Sequence, residues 1–229
     1  MIVSIHQPNY LPWLGYFDKI IKSDIFVIFD DVQYPRGKKG FFGNRNQIKT
    51  NNGKMWLTVP VIGKGDFKNF NEIEINYNGW NKKHIQNIYN FYKKATYFDK
   101  YFEDIKIILM KEHSNLSELS TELILYFMEV LDIDTKIMYS SEFKTEKTGG
   151  DKIMYILKEL NATEYISGNG PGSLRYINEE DFSDRNIKLT WQEYKHPEYK
   201  QLHSEFISHL SVLDLLFISG DKSKEVISS

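Results

Sequence analysis

Short apolar runs alternating with polar loops set the rhythm of this chain. Ile2–Ile5, Ile25–Phe29, Met55–Val61, Glu72–Ile75, Thr135–Tyr139, Glu164–Ser167 and Lys188–Trp191 read as strands. Trp13–Lys22, Trp80–Lys94, Tyr97–His113, Leu116–Leu131, Asp151–Leu160 and Val212–Ser219 read as helices. Leu116, Leu119, Leu123, Phe127, Val130 and Leu131 recur at three- and four-residue steps, the spacing of one helix face. Asn115 and Ser117 are candidate caps for that helix. The order is strand–helix–strand, a β-rich section, three helices, then strand–helix–strand–helix. Alternation at both ends predicts a parallel sheet with helices on its faces. The first two strands are expected side by side and parallel, joined by the helix near Trp13–Lys22.

Residues 31–71 break this rhythm with Gly37, Gly40, Gly43, Gly53, Gly63 and Gly65. They read as loops around a hairpin, lying across the sheet edge or over the site. Asn51-Asn52-Gly53, between Ile48 and Met55, is a hairpin-turn signal. No linker, repeat or low-complexity tract divides the chain. The expected fold is therefore a single α/β domain over residues 1–229, with a helical section at about 80–131. Its class is a Rossmann-like parallel sheet with flanking helices and a β-hairpin/loop insertion. The polar tail Asp221–Ser229 is expected to fray.

At 229 residues the chain can bury most of its apolar surface. A net charge of −2 gives no global basic field, so neither nucleic acid nor an anionic membrane is an expected partner. The absence of cysteine excludes disulfides, thiolate nucleophiles and zinc–thiolate sites, and fits a reducing cytosol. Met1 to Ile5 is too short for a signal sequence. No apolar stretch approaches the roughly 20 residues that span a bilayer. A soluble, cytoplasmic protein is expected. Aromatics are 15% of the chain, which predicts a core of large rings. Tyrosines beside polar loops are also candidates to stack on sugars or bases.

Residues 6–20, between the first two strands, carry the candidate chemistry. The loop holds His6, Gln7, Asn9, Tyr10, Trp13 and Gly15, with Pro8 and Pro12 restricting its shape. A rigid polar loop at the carboxyl end of a first strand is where α/β proteins bind ligands. His6 is the candidate base, or a histidine bonded to its own loop. Asp30 and Asp31 end the second strand, placed to orient a base or a sugar, or to cap the next loop. Asn44, Arg45 and Asn46 lie near Arg36, Lys38 and Lys39, and Arg45 suits a phosphate or carboxylate. Gly168, Gly170 and Gly172 follow a strand and let backbone N–H groups approach an anion, with Arg175 and Tyr176 next. This is neither a P-loop nor G-x-G-x-x-G. His196 and Glu198 follow the last strand and either join the site or form a rigid connector. His84 and His113 read as structural. No metal-ligating cluster and no G-x-S-x-G motif is present.

The opening H-Q-P-x-Y-L-P-W-x-G-Y-F-x-K-I, then S-D-x-F-V-x-x-D-x-V-Q-Y and N-R-N-Q-I, resemble the WbqC-like family. Tyr165-Ile166-Ser167-Gly168, His196-Pro197-Glu198-Tyr199-Lys200-Gln201 and Leu210-Ser211-Val212-Leu213-Asp214 resemble it too, so the likeness covers almost the whole chain. The resemblance implies a place in bacterial O-antigen and related surface-sugar biosynthesis. It also implies transfer of a glycyl or other small acyl group to an amino sugar. The expected substrate is a nucleotide sugar, whose diphosphate would suit Arg45. The strand–loop–helix opening also has the topology of HIGH-type nucleotidyltransferases. There Trp13-Leu14-Gly15-Tyr16 stands in place of H-x-G-H, and both histidines are missing. That likeness bears on fold more than on chemistry. The competing functions are an amino-sugar acyltransferase, a nucleotidyl or adenylyl transferase, and a non-catalytic binding protein in a biosynthetic complex. No cofactor or oligomeric state is assigned.

Overall fold

The structure, a computed structural model, describes residues 1–35, 42–63, 67–203 and 205–229. The chain begins with β1 (Ile2–His6), α1 (Leu14–Ile21) and β2 (Ile25–Ile28). Next come β3 (Arg45–Thr50), β4 (Gly53–Thr58), β5 (Val61–Ile62) and β6 (Glu74–Ile75). Three helices follow: α2 (Trp80–Tyr92), α3 (Phe98–Met110) and α4 (Leu116–Val130). The chain then runs through β7 (Lys136–Tyr139), α5 (Gly149–Glu159) and β8 (Glu164–Gly168). It continues as α6 (Pro171–Tyr176), α7 (Glu179–Ser183) and β9 (Lys188–Gln192), and closes with α8 (Val212–Ser219) and α9 (Ser223–Ile227).

Five strands form one parallel sheet in the order β7-β2-β1-β8-β9. The chain starts in the centre, builds outward through β2 and β7, then returns to the other side of β1 for β8 and β9. The order therefore reverses between β1 and β8, which makes the carboxyl ends of those two strands a topological switch point. This is a Rossmann-like α/β sheet, and β1 and β2 pair in parallel from Val3↔Ile25 to His6↔Ile28.

Alternation along the strands decides which core each side chain joins. Val3, Ile5, Ile25 and Val27 pack with Ile153, Ile156, Leu157, Tyr165 and Phe182 beneath α5 and α7. Phe26 and Ile28 point the other way, into a larger core with Leu14, Phe17 and Ile20 of α1, Leu123 and Phe127 of α4, and Val212 and Leu216 of α8. His6 faces α1 too, its ring edge-on to Tyr16 at 5.0 Å.

Asn115 caps α4, its side chain accepting from the Glu118 N–H at 2.9 Å. The hairpin β3–β4 turns at Asn51-Asn52, with Gly53 at φ +126°, a conformation L side chains rarely adopt. Three segments differ from the sequence pattern. The run Met55–Val61 is two strands, because Pro60 has no N–H to continue a ladder. β3, the first strand of the expected hairpin, gives no apolar run of its own, because Arg45, Asn46, Gln47 and Lys49 leave Ile48 as its single apolar residue. The tail is helical rather than frayed, because Ile227 is fully buried and anchors α9 in the larger core. Among the described residues no helix is long and apolar enough to cross a membrane.

Candidate functional site

His6 closes β1 on the α1 side of the sheet. Its Nδ1 lies 2.9 Å from the Gln7 carbonyl oxygen, which can only accept, so Nδ1 carries the proton and Nε2 is the free acceptor. Burial and the nearby Lys19 ammonium push the His6 pKa down to about 3. The ring is thus neutral near pH 7, a hydrogen-bond acceptor and a weak base. Tyr16 braces the same carbonyl, its hydroxyl donating to Gln7 O at 3.3 Å. Burial raises the Tyr16 pKa, so this hydroxyl stays protonated.

Gly168 closes β8 beside it. The pairing Ile2↔Glu164, Val3↔Tyr165 and Ser4↔Ile166, carried two residues on, sets His6 level with Gly168. A Cβ on Gly168 would lie 3.6 Å from Ser173 Oγ and 3.9 Å from Lys19 Nζ, so both groups face this end of the strand. Cβ atoms on Gly170 and Gly172 would meet nothing within 4 Å, so that loop opens outward.

The sequence pattern does not mark Lys19 as a site residue, although it is the K of the opening motif, because a lysine on a helix ordinarily reads as solvated. Yet α1 is buried from Leu14 to Ile20, and Lys19 is only 2% exposed. Burial brings its pKa down to about 7, against the raising effect of Asp18. Asp18 is engaged elsewhere: Oδ1 pairs with Lys22 Nζ at 2.8 Å, and Oδ2 accepts from Gln192 Nε2 at 2.8 Å. Gln192, at the end of β9, also donates to the Gly15 carbonyl at 2.8 Å, tying the sheet edge to α1.

An aromatic cluster adjoins this edge. The Trp13 indole stacks on His209 at 5.1 Å and meets Tyr194 edge-on at 5.5 Å. His196 lies 5.1 Å from His209 and stacks on Tyr199 at 6.3 Å. Its Nδ1 bonds the Pro197 carbonyl at 2.9 Å, and its pKa is lowered by burial. His196 Nε2 and the Tyr194 hydroxyl are buried with no hydrogen-bond partner among the described residues. Gly15 makes room for this arrangement, since a Cβ there would sit 2.2 Å from the Trp13 ring.

Asp30 and Asp31 form a separate structure at the ends of β2 and β7. Asp30 Oδ1 accepts from the Ser141 N–H at 3.0 Å, and Oδ2 from Ser141 Oγ at 2.7 Å. Ser140 Oγ lies 2.9 Å from Asp30 Oδ1 and 2.5 Å from Asp31 Oδ1. Asp31 Oδ2 pairs with the buried Lys152 of α5. Both carboxylates are thus occupied in pinning a 3-10 turn, Ser140–Glu142, to the sheet. Beside them lies a cleft of about 420 Å³, lined by Asp30, Asn71, Asn115, Thr121, Glu122 and Tyr139 among others.

The remaining candidates are dispersed. Tyr10 lies in the core, its hydroxyl 2.8 Å from His84 Nδ1. Asn9 is buried next to it in sequence, with Oδ1 unpartnered among the described residues. Asn44 braces the hairpin, donating to the Val59 carbonyl at 2.8 Å. The Arg45 guanidinium lies over the Trp56 ring at 4.4 Å on the same hairpin. Arg175 and Tyr176 are exposed at the end of α6, the guanidinium 5.5 Å from the Tyr176 ring centre. Arg36, Lys38 and Lys39 lie outside the described residues. Among the described residues no group of three or more His, Cys, Asp or Glu side chains gathers to hold a metal ion.

Sheet order and the loops at its carboxyl edge define a Rossmann-like α/β protein with a candidate ligand site between β1 and β8. The chain belongs to the WbqC-like protein family, which it matches over residues 7–226. It is 36% identical over 228 residues to "Uncharacterized protein Rv1507c" of Mycobacterium tuberculosis, covering 98% of this chain and 96% of that protein. No solved structure matches it.

Proposed function

We propose that the protein is an enzyme of surface-polysaccharide (O-antigen) biosynthesis. It acts on a nucleotide-linked amino sugar and transfers a glycyl or other small acyl group to the sugar amine. One observation carries the reading: His6 and the open Gly168–Gly172 loop stand level on adjacent strands at the switch point of a parallel sheet. In this reading the loop receives the phosphates and His6 Nε2 accepts from the attacking amine, aligning its lone pair on the acyl carbon. The new C–N bond replaces the bond to the donor's leaving group, and the amine proton departs with that group. Because the His6 pKa is near 3, the ring orients the amine and relays its proton rather than storing it. Asp30 and Asp31 hold the strand ends in place through Ser140, Ser141 and Lys152.

A thermal-shift screen of nucleotide sugars, followed by mass spectrometry for the amide product with candidate acyl donors, tests this. A nucleotide sugar at 100 times its dissociation constant adds about 2.7 kcal/mol to stability. Stabilisation with amide formation, lost in His6→Ala, is the expected result. Stabilisation without any amide would leave a binding protein in a biosynthetic complex. No stabilisation by any nucleotide sugar would remove the substrate class.

A further inference from the structure

Keeping an ammonium in a buried position costs several kcal/mol unless a counter-charge or hydrogen bonds offset it. A methionine would fill the Lys19 position on α1 with a similar stem and no charge. Yet Lys19 Nζ makes no hydrogen bond and no ion pair among the described residues, while its neighbour Asp18 is taken by Lys22 and Gln192. The ammonium instead faces Gly168, alongside the Ser173 hydroxyl. That strand end has no side chain, and the loop beyond it is open at Gly170 and Gly172.

We infer that Lys19 is an anion-binding residue, whose ammonium and the Ser173 hydroxyl take one phosphate of a nucleoside diphosphate at the Gly168 strand end. The inference rests on the nucleotide-sugar reading above and replaces Arg45 with Lys19 as the residue that meets phosphate. Phosphate suits the place because its several oxygens accept from an ammonium, a hydroxyl and close backbone N–H groups together. The ionisable groups around Lys19 are Asp18 and Lys22 on α1 and His6 on β1, with Tyr194 beyond Asp18. Gln192 and Ser173 are neutral. Of these, only Asp18 is negative, and its two carboxylate oxygens are taken by Lys22 and Gln192.

The chemistry has a proton signature. With its pKa near 7, Lys19 is mostly neutral at pH 8 in the free protein, and a bound phosphate restores its proton. Calorimetric titration with UDP and with inorganic pyrophosphate at pH 8, in buffers of different ionisation enthalpy, reads this directly. Wild type is expected to bind at least one probe with uptake of close to one proton per site. Pyrophosphate binding places the recognition in the phosphates, and UDP binding alone adds the nucleoside to it. Lys19→Met is expected to weaken binding at least tenfold and abolish the uptake. Lys19→Arg is expected to keep binding and lose the uptake, because Arg stays charged. Circular dichroism and urea unfolding establish that each variant folds.

Unchanged affinity and uptake in Lys19→Met would overturn the inference. So would binding of neither probe to wild type, or binding of glycine in their place. Lys19-dependent UDP binding with no amide formed on amino sugars would leave the anion site and remove the acyl-transfer reading. Amide formation with unchanged KM in Lys19→Met would do the reverse.

Discussion

The Tyr92 hydroxyl donates to Asp214 Oδ1 at 2.9 Å, joining α2 to α8 inside the larger core. The Tyr92 hydroxyl oxygen accepts from the Lys49 N–H at 2.9 Å, and the Tyr199 hydroxyl donates to Asp214 Oδ2 at 2.9 Å. Lys49 Nζ in turn donates to Gln201 Oε1 at 2.8 Å. Two distant segments, Tyr199 to Gln201 and Asp214, thus meet the hairpin around one fully buried carboxyl. Asp214→Ala leaves the buried Tyr92 hydroxyl and the part-buried Tyr199 hydroxyl without this acceptor, at about 1–3 kcal/mol for the buried one and less for the other. Urea unfolding is expected to show a loss in that range or larger, with Tyr92→Phe costing less. A loss below about 0.5 kcal/mol for Asp214→Ala, the level of an ordinary surface change, would remove the network from the fold's supports.

Acid should destabilise the protein through its histidines. Burial lowers His84 to about 4 and His6 to about 3, while the unfolded chain titrates near 6.5. Between those values the unfolded state holds more protons, so their contribution is present above pH 6.5 and is lost as pH falls toward 4. Each group alters stability by up to about 1.4 kcal/mol per pH unit, less for the partly exposed His6. The urea midpoint is expected to drop across pH 6.5 to 4, with a shallower drop in His84→Gln. An equal slope in that variant would rule out His84 as a source.

Lys19 acts in the opposite pH range with the same sign. Its folded pKa near 7 lies below the unfolded value near 10.5, so the native state sheds its proton first. Wild-type stability from this group therefore rises between pH 7 and 10.5. Lys19→Met should be more stable than wild type at pH 6.5, by about 1–4 kcal/mol, and the gap should close toward pH 10. Unfolding at pH 6.5 and 9.5 gives both numbers. A gap that does not change with pH would contradict the buried-charge account.

The Asp31–Lys152 ion pair supports the edge formed by β2 and β7. Removing one partner leaves a buried charge, and Lys152→Met or Asp31→Asn should each cost about 3–5 kcal/mol. The double variant should recover most of that loss, because no charge is stranded. A double-mutant cycle by urea unfolding measures the coupling. Additive losses would mean that the two side chains act independently.

The sequence made the frame legible where the signal was local. The apolar runs around His6–Ile20 specified a parallel β1–β2 crossover, and the fold has it. Asn115 capped the helix whose period it preceded, and Asn51-Asn52 made the turn of the hairpin. Short polar elements were not legible: β3 has one apolar residue, and α6 and α7 are each six residues or fewer.

For the site, sequence alone determined that a rigid polar loop with His6 closes the first strand, and that a glycine loop closes a later one. Chain-local chemistry is enough for that, because strand ends, prolines and glycines act within a few residues. Only the tertiary structure decided what each polar group meets. It set Gly168 beside His6, drew Asp30 and Asp31 into Ser140, Ser141 and Lys152, and put Tyr10 against His84. It also sank Lys19 of α1 against the Gly168 strand end, with no hydrogen bond or ion pair to its ammonium among the described residues. Burial and hydrogen-bond partners arise between residues far apart in the chain, and a periodic pattern carries no record of which distant group will arrive.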